Sequence, residues 1–181
     1  MRAFIALEVS DRFRFEIEGL VRQLRNEVSG KFVSPDAYHV TLAFLGNVDE
    51  RGVRDAISAL ETTCNRIERE IPLASNGLGK FGKARDATLW LGLKPVDPLM
   101  QAAENLRAEL SASGLTFDSK PFKPHITLAR RANLSQGALP DLPFPEPDCA
   151  LAITLFKSEL SSQGATYSRL FSLTLPGPHS L

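Results

Sequence analysis

The sequence predicts an α+β fold built from two related lobes, and three observations carry that expectation. A tetrapeptide occurs twice, as His39-Val40-Thr41-Leu42 and His125-Ile126-Thr127-Leu128, each time inside a short apolar, β-branched run (38–45 and 124–129) that reads as a strand. An amphipathic helix pattern lies ahead of each run. An ungapped offset of 86 residues then superimposes Ile5 on Leu91, Asp11 on Asp97, Leu20 on Leu106, Leu24 on Leu110, Pro35 on Pro121, His39 on His125 and Thr41 on Thr127. Strand, helix and His-Thr strand are thus duplicated, as pseudo-repeats over about 3–45 and 89–131 of a single domain spanning 1–181. The period is far too long for a solenoid. Approximate two-fold symmetry of this kind can set the two motif strands face to face across a cleft, where ligand sites tend to lie.

In chain order, residues 3–9 form the first strand, and Ser10 caps a helix from Asp11 to about Ser29. Its stripe is Phe13, Ile17, Leu20, Val21, Leu24 and Val28, and Gly30 is expected to close it. The loop Ser34-Pro35-Asp36 leads into the first His-Thr strand, which ends at Gly46-Asn47. A second helix, capped by Asp49, is expected from Glu50 to about Glu70 with Val53, Ile57, Leu60, Cys64 and Ile67 buried. Residues 71–78 read as a weak strand. The stretch Gly77-Leu78-Gly79-Lys80-Phe81-Gly82 matches G-x-G-x-x-G in letters, but a strand and not a helix follows it, at Thr88 to Leu93. Without a helix N-terminus to hold a pyrophosphate the dinucleotide reading fails, and a glycine-rich hairpin is expected, with Lys80, Lys83 and Arg85 as a solvated basic loop. Asp97 should cap a third helix with Pro98 in its first turn, Leu99, Ala103, Leu106 and Leu110 buried, and Gly114 as its stop. Residues 132–148 read as a loop, and 150–160 with 166–175 as a hairpin. Tyr167, at the start of the last strand, is expected to cover the sheet edge and not to stack on a base. His179 lies in the C-terminal tail and is assigned no role.

Composition sets the class. A chain of 181 residues with 43% hydrophobic and 23% charged residues is an ordinary globular protein, able to bury a core of its own. With 21 basic and 21 acidic residues, nucleic-acid contact must come from local clustering of charge and not from an overall basic surface. No signal peptide or membrane segment is recognisable, so a cytoplasmic monomer with no membrane partner is expected. Cys64 and Cys149 have no metal spacing and are expected to be free thiols.

Alternation along a strand puts His39 and Thr41 on one face, about 7 Å apart, and Val40 and Leu42 on the other. His125 and Thr127 repeat the arrangement. Two of the three histidines of the chain thus hold the same position of the same motif, a pattern suited to a phosphate. Opening a cyclic phosphodiester needs a base to activate water and an acid to protonate the departing oxygen, placed on opposite sides of phosphorus. Imidazole titrates near working pH, and the threonine hydroxyls can donate to the non-bridging oxygens. No further histidine or carboxylate completes a ligand set, so no metal or other cofactor is expected, and no Gly-x-Ser-x-Gly elbow supports a serine nucleophile. A non-catalytic module that grips phosphorylated RNA ends remains the alternative from a different class.

H-V-T-L and H-I-T-L, together with R-A-F-I-A-L at residues 2–7, P-D-A-Y-H-V-T-L-A-F-L-G at 35–46, L-W-L-G-L at 89–93 and P-F-K-P-H-I-T-L-A-R at 121–130, resemble the two-histidine phosphoesterase superfamily. The closer resemblance is to its RNA 2′,3′-cyclic phosphodiesterase, LigT-like branch. It implies a bilobal α+β fold with two antiparallel sheets facing a central cleft and helices outside. It also implies metal-independent hydrolysis of a terminal RNA 2′,3′-cyclic phosphate to a 2′-phosphate, with weak reversible 2′-5′ RNA ligase activity in some relatives. Carried over, His39, Thr41, His125 and Thr127 are the catalytic four and Arg130 a phosphate-contacting residue, with His39 as acid and His125 as base. Strict alternation would turn Arg130 away from His125, so its reach needs a bulge or a frayed strand end. A tryptophan common in the family before the first motif is Phe32 here. The same residues could also act on small cyclic nucleotides or on 2′-5′ linkages.

Overall fold

The computed structural model describes residues 1–178, so His179 lies outside the described residues. Among them, two four-stranded antiparallel sheets carry the two His-Thr strands, one in each sheet. The first sheet is built on β1 (Arg2–Glu8) and β3 (His39–Asn47), with β9 (Ala152–Ser161) on the other side of β1 and β10 (Gly164–Thr174) at the edge. In the second, β7 (His125–Asn133) lies between β2 (Ser29–Phe32) and β6 (Asp86–Leu93), and β5 (Ser75–Lys83) is the far edge. A two-stranded ribbon joins β4 (Pro72–Leu73) to β8 (Asp148–Cys149). The helices α1 (Asp11–Glu27), α2 (Glu50–Asn65) and α3 (Asp97–Ala112) lend one buried face each to a single apolar core, shared with Ile5, Leu7, Val40, Leu42, Leu91, Ile126 and Leu128. A separate small cluster of Phe4, Ala6 and Phe156, with Phe44 and Tyr167 against it, lies on the other face of the first sheet, beside His39.

The caps of α1 and α2 follow the sequence reading. Ser10 Oγ accepts from Phe13 N at 3.1 Å, and Asp49 Oδ1 accepts from Gly52 N at 2.8 Å, so each satisfies a backbone donor that the first turn leaves open. Other expectations are corrected. Helix α1 stops at Glu27, and Gly30 is no helix stop: Val28 caps α1 in an extended conformation and the chain passes straight into β2, which pairs with β7. A Cβ on Gly30 would lie 3.0 Å from the Cα of Ala132, so glycine here permits a close strand approach. Four residues without an apolar alternation gave no strand signal for β2. Helix α2 ends at Asn65, five residues early, and buries Gly52, Ala56, Ala59, Leu60 and Thr63. Of the expected stripe, Val53, Ile57 and Cys64 lie at its half-buried margin, and Ile67 lies beyond the end of the helix. Small side chains let α2 pack closely, and they outweigh the larger residues in setting its face. Asp97 is the first residue of α3 and does not cap it; Val96 does, without a side-chain bond.

The glycine-rich stretch lies in the expected hairpin, β5 followed by the strand β6 and not by a helix. Gly79 faces Trp90 across the hairpin, and a Cβ there would come 2.0 Å from the indole ring. The glycine makes room for an aromatic side chain, not for a pyrophosphate.

Candidate active site

The two motif strands position their histidines by the same device. His39 Nδ1 bonds the carbonyl of Ala37 at 2.7 Å, and His125 Nδ1 bonds the carbonyl of Lys123 at 2.6 Å, in each case two residues back. A carbonyl only accepts, so Nδ1 carries the proton in both rings. That leaves Nε2 of each imidazole with a free lone pair when neutral and a second acidic proton when charged.

An aromatic floor fixes each ring. Phe4 lies 4.9 Å from His39 and Trp90 lies 5.7 Å from His125, and these two residues are counterparts at the 86-residue offset. Around His39 the floor is extended by Phe156 at 6.3 Å and by Tyr167, edge-on at 5.3 Å. Tyr167 is therefore a wall of the site, which corrects the expectation that it merely covers the sheet edge. Around His125 it is extended by Phe81, edge-on at 5.1 Å, with the Lys123 ammonium 4.8 Å from the Trp90 ring.

Both strands break register just after the threonine. In β3, Thr41 pairs with Ala6 and Ala43 with Ile5, which leaves Leu42 extra; in β7, Thr127 pairs with Trp90 and Ala129 with Leu89, which leaves Leu128 extra. One inserted residue shifts the alternation by one, so Phe44 and Arg130 return to the face of the histidines. The bulge on which Arg130 depended is present, and Arg130 lines a 420 Å³ hollow with His39, Thr41, Phe44 and Tyr167. A second hollow of 300 Å³ adjoins it through Thr41 and Phe44 and is lined by His125, Phe81, Phe122 and Lys123. The structure thus brings His39, Thr41 and Arg130 together in one hollow and His125 with Thr41 in the next; Thr127 is half-buried on β7, in the face-sharing register with His125.

Electrostatics separate the two rings. Burial depresses His39 from imidazole's usual 6.5 to about 4, opposed by its carbonyl bond and by the Glu8 carboxylate and aided by the charges of His125 and Arg130. His125 is lowered too, again by burial first, with Lys123 and Arg130 adding to it. Arg130 therefore acts on both rings. Glu8 pairs with His39 in register across β1 and β3. It is buried, and although burial raises its carboxyl, hydrogen bonds from Arg169 and Thr154 and the charge of Arg169 hold it below the carboxylate range. Arg169 binds it bidentately, Nε to Oε1 at 2.9 Å and Nη2 to Oε2 at 2.6 Å, and Thr154 Oγ1 donates at 2.6 Å. Glu8, Phe4, Phe44, Phe81 and Trp90 were not singled out from sequence. The repeat offset was the available signal for three of them, since it sets Phe4 on Trp90 and Phe44 on Arg130. Among the described residues no group of three or more His, Cys, Asp and Glu side chains is placed to hold a metal, and no helix is long and apolar enough to cross a membrane.

Known proteins resemble this chain over nearly its whole length. A protein of Thermotoga maritima named RNA 2′,3′-cyclic phosphodiesterase is 32% identical over 98% of this chain and 97% of its own. One of the same name from Thermus thermophilus is 30% identical over 99% of this chain and 92% of its own. The crystal structure of Escherichia coli LigT complexed with 3′-AMP superimposes with a TM-score of 0.78 at 26% identity, covering 96% of this chain and 97% of that one. The sequence model of the 2′-5′ RNA ligase superfamily matches residues 13–148, a span that runs from α1 through both His-Thr strands, and the chain belongs to that superfamily, in the branch of the RNA 2′,3′-cyclic phosphodiesterases.

Proposed function

We propose that this chain opens the 2′,3′-cyclic phosphate at an RNA end to a 2′-phosphate without a metal, with His39, Thr41, His125 and Thr127 as the catalytic residues and Arg130 on the phosphate. The observation that carries the reading is the twin Nδ1–carbonyl bond, which presents two imidazole Nε2 atoms from facing lobes with one arginine acting on both. His125 Nε2 takes a proton from water as the water oxygen attacks phosphorus. The P–O3′ bond breaks in line with that attack, and the charged His39 gives its Nε2 proton to O3′. The threonine hydroxyls and Arg130 donate to the non-bridging oxygens, where negative charge builds.

Two neighbouring charges act in the sense of this division, although His125 and Arg130 act on His39 in the opposite sense. Glu8 behind His39 favours its protonated form and Lys123 beside His125 favours the neutral one, as an acid and a base require. Burial alone leaves His39 neutral at pH 7. A bound phosphodiester brings the negative charge that raises it, so the acid forms when the substrate arrives.

The site is complete within one bilobal domain spanning 1–181, with pseudo-repeats near 3–45 and 89–131. Because one chain supplies both motif strands, a monomer suffices. Free Cys64 and Cys149 accord with a cytoplasmic setting. The names of the relatives and the 3′-AMP in LigT support RNA ends or nucleotides with a cyclic phosphate as substrate.

The test is incubation in millimolar EDTA with three probes: an oligonucleotide ending in a 2′,3′-cyclic phosphate, a mononucleotide 2′,3′-cyclic phosphate and a 2′-5′ dinucleotide. A 2′-phosphate product from the first is expected. Loss of activity in chelator with recovery on Zn²⁺ or Mn²⁺ overturns the mechanism, and binding without any product leaves a binder of RNA ends.

A further inference from the structure

Resting on that reading, we propose that Arg2 and Lys31 form a subsite for the phosphodiester on the 5′ side of the terminal nucleoside, so that the enzyme favours an RNA chain over a nucleoside 2′,3′-cyclic phosphate. The observation behind it is a surplus of positive charge. Arg2 and Arg130 both line the 420 Å³ hollow beside His39, and no carboxylate lines it. Lys31 stands cross-strand from Arg130 in the β2–β7 pair, so the two side chains share a face of the second sheet. Its ammonium lies 3.8 Å from the place a Cβ would take on Gly164, and Gly164 also lines the hollow. Among the described residues Arg2, Lys31 and Arg130 have neither an ion-pair partner nor a side-chain hydrogen bond, in contrast to Arg169, which Glu8 neutralises.

A cyclic phosphate carries one negative charge, and Arg130 with the threonine hydroxyls meets its non-bridging oxygens. Arg2 and Lys31 are left facing an anion that the reacting group does not supply. On an RNA end the next negative charge is the phosphodiester on O5′ of the same ribose. The placement of Arg2 suits it. In the β1–β3 ladder His39 pairs with Glu8 at one end, and Arg2 pairs with Asn47 at the other, so the hollow runs from the reacting side to a cation well removed from it. The Arg2 guanidinium stands over the Phe44 ring, 5.3 Å from its centre, which holds it against the wall of the hollow. Lys31 and the β9–β10 turn at Gly164 come from opposite sheets, so the ammonium meets the hollow from the other lobe. Cations that touch only backbone phosphate fix the register of a strand without reading its sequence. The preference is therefore for a chain of any sequence.

The experiment measures kcat/KM for four probes: uridine 2′,3′-cyclic phosphate, its 5′-phosphorylated form, the dinucleotide UpU ending in a 2′,3′-cyclic phosphate, and that dinucleotide with an uncharged methylphosphonate linkage. The readout is the ratio of charged to uncharged dinucleotide within one preparation, from which the fraction of folded protein cancels. The wild type is expected to favour the charged dinucleotide by about 10-fold at low salt, as one charge-assisted contact implies, with the advantage shrinking as salt rises. Arg2→Gln and Lys31→Gln should each lower the ratio, Arg2→Lys should retain part of it, and the double glutamine variant should bring it within twofold of one. A wild-type ratio within twofold of one, or a ratio that survives in the double variant, overturns the subsite. So does an equal loss on both dinucleotides, which would place Arg2 and Lys31 on the cyclic phosphate itself. A 5′-phosphorylated mononucleotide that outpaces the charged dinucleotide overturns the preference for a chain. A wild-type protein that opens none of the four probes sinks the underlying reading instead.

Discussion

The His39 half and the His125 half of the cleft share a backbone and differ in their charges. Each has an imidazole tied through Nδ1 to the carbonyl two residues earlier, an aromatic beneath it from the neighbouring strand, and a one-residue bulge after its threonine. The side chains then diverge. The bulge returns Phe44 to the cleft in one half and Arg130 in the other. Phe156 and Tyr167 close over His39, whereas Phe81 and Lys123 leave His125 more open. Glu8, held by Arg169, sits behind the first histidine, and its counterpart at the repeat offset is Lys94. Duplication supplies two equal proton-transfer groups; an acid–base reaction needs unequal ones. The inequality comes from residues around the motif and not from the motif.

The largest effects should come from removing either ring. His39→Ala and His125→Ala are each expected to lower turnover by at least about 10² while the fold persists, because both side chains face the cleft. Near-normal turnover in either purified variant breaks the comparison at its root. The two losses should part when the leaving group changes. An aryl phosphodiester, whose phenolate departs without protonation, should restore much of the rate of His39→Ala and little of that of His125→Ala. Rescue confined to His125→Ala exchanges the roles.

Next in size is the residue by which the halves differ most. Arg130→Phe writes the side chain of the first half into the second and removes the charge that acts on both histidines. A rise in KM and a fall in kcat, together about 10-fold to 10² in kcat/KM, are expected from losing a charge-assisted bond to phosphate. An unchanged KM would show that Arg130 does not touch the substrate. Thr41→Val and Thr127→Val should cost roughly 10-fold each, mainly in kcat, and within about threefold of one another, since they hold equivalent places on twin strands. A loss seen at one threonine only would mean that a single half binds the phosphate oxygens.

The repeat made most of this readable in advance. The stripes of α1 and α3, caps at Ser10 and Asp49, both motif strands and the need for a bulge before Arg130 all follow from local pattern and offset. What escaped depended on contacts between distant segments. Strand β2 has no pattern of its own and exists because β7 offers an edge to it. The buried face of α2 is set by small residues that the apolar stripe ignores. Tyr167 lies 128 residues beyond His39 and meets it only because β9 and β10 extend the first sheet past β1, a pairing order that no local pattern records. Glu8 carried no local signal, and its burial is tolerated because Arg169 and Thr154 satisfy it.

The smallest effect concerns stability, and it tests whether burial really separates the two rings. A histidine whose folded pKa lies below its unfolded value binds fewer protons in the native state, so the unfolded state gains as pH falls. For His39 the contribution is fully present above about 6.5 and is lost as pH drops from there toward about 4. His125 is shifted the same way, with less of its ring enclosed, and should lose less over the same window. The Glu8 carboxylate, held below its usual range, is lost only at still lower pH, so the interval from 6.5 to about 4.5 isolates the imidazoles. Thermal unfolding between pH 7 and 4.5 should therefore show Tm falling steeply for the wild type, less steeply for His125→Gln and least for His39→Gln. Inorganic phosphate favours the charged rings, so the Tm increase it produces in the wild type should grow as pH falls. Equal slopes in the wild type and His39→Gln would mean that water reaches the first imidazole as freely as the second, and the electrostatic difference between the halves would then rest on Glu8 and Lys123 alone.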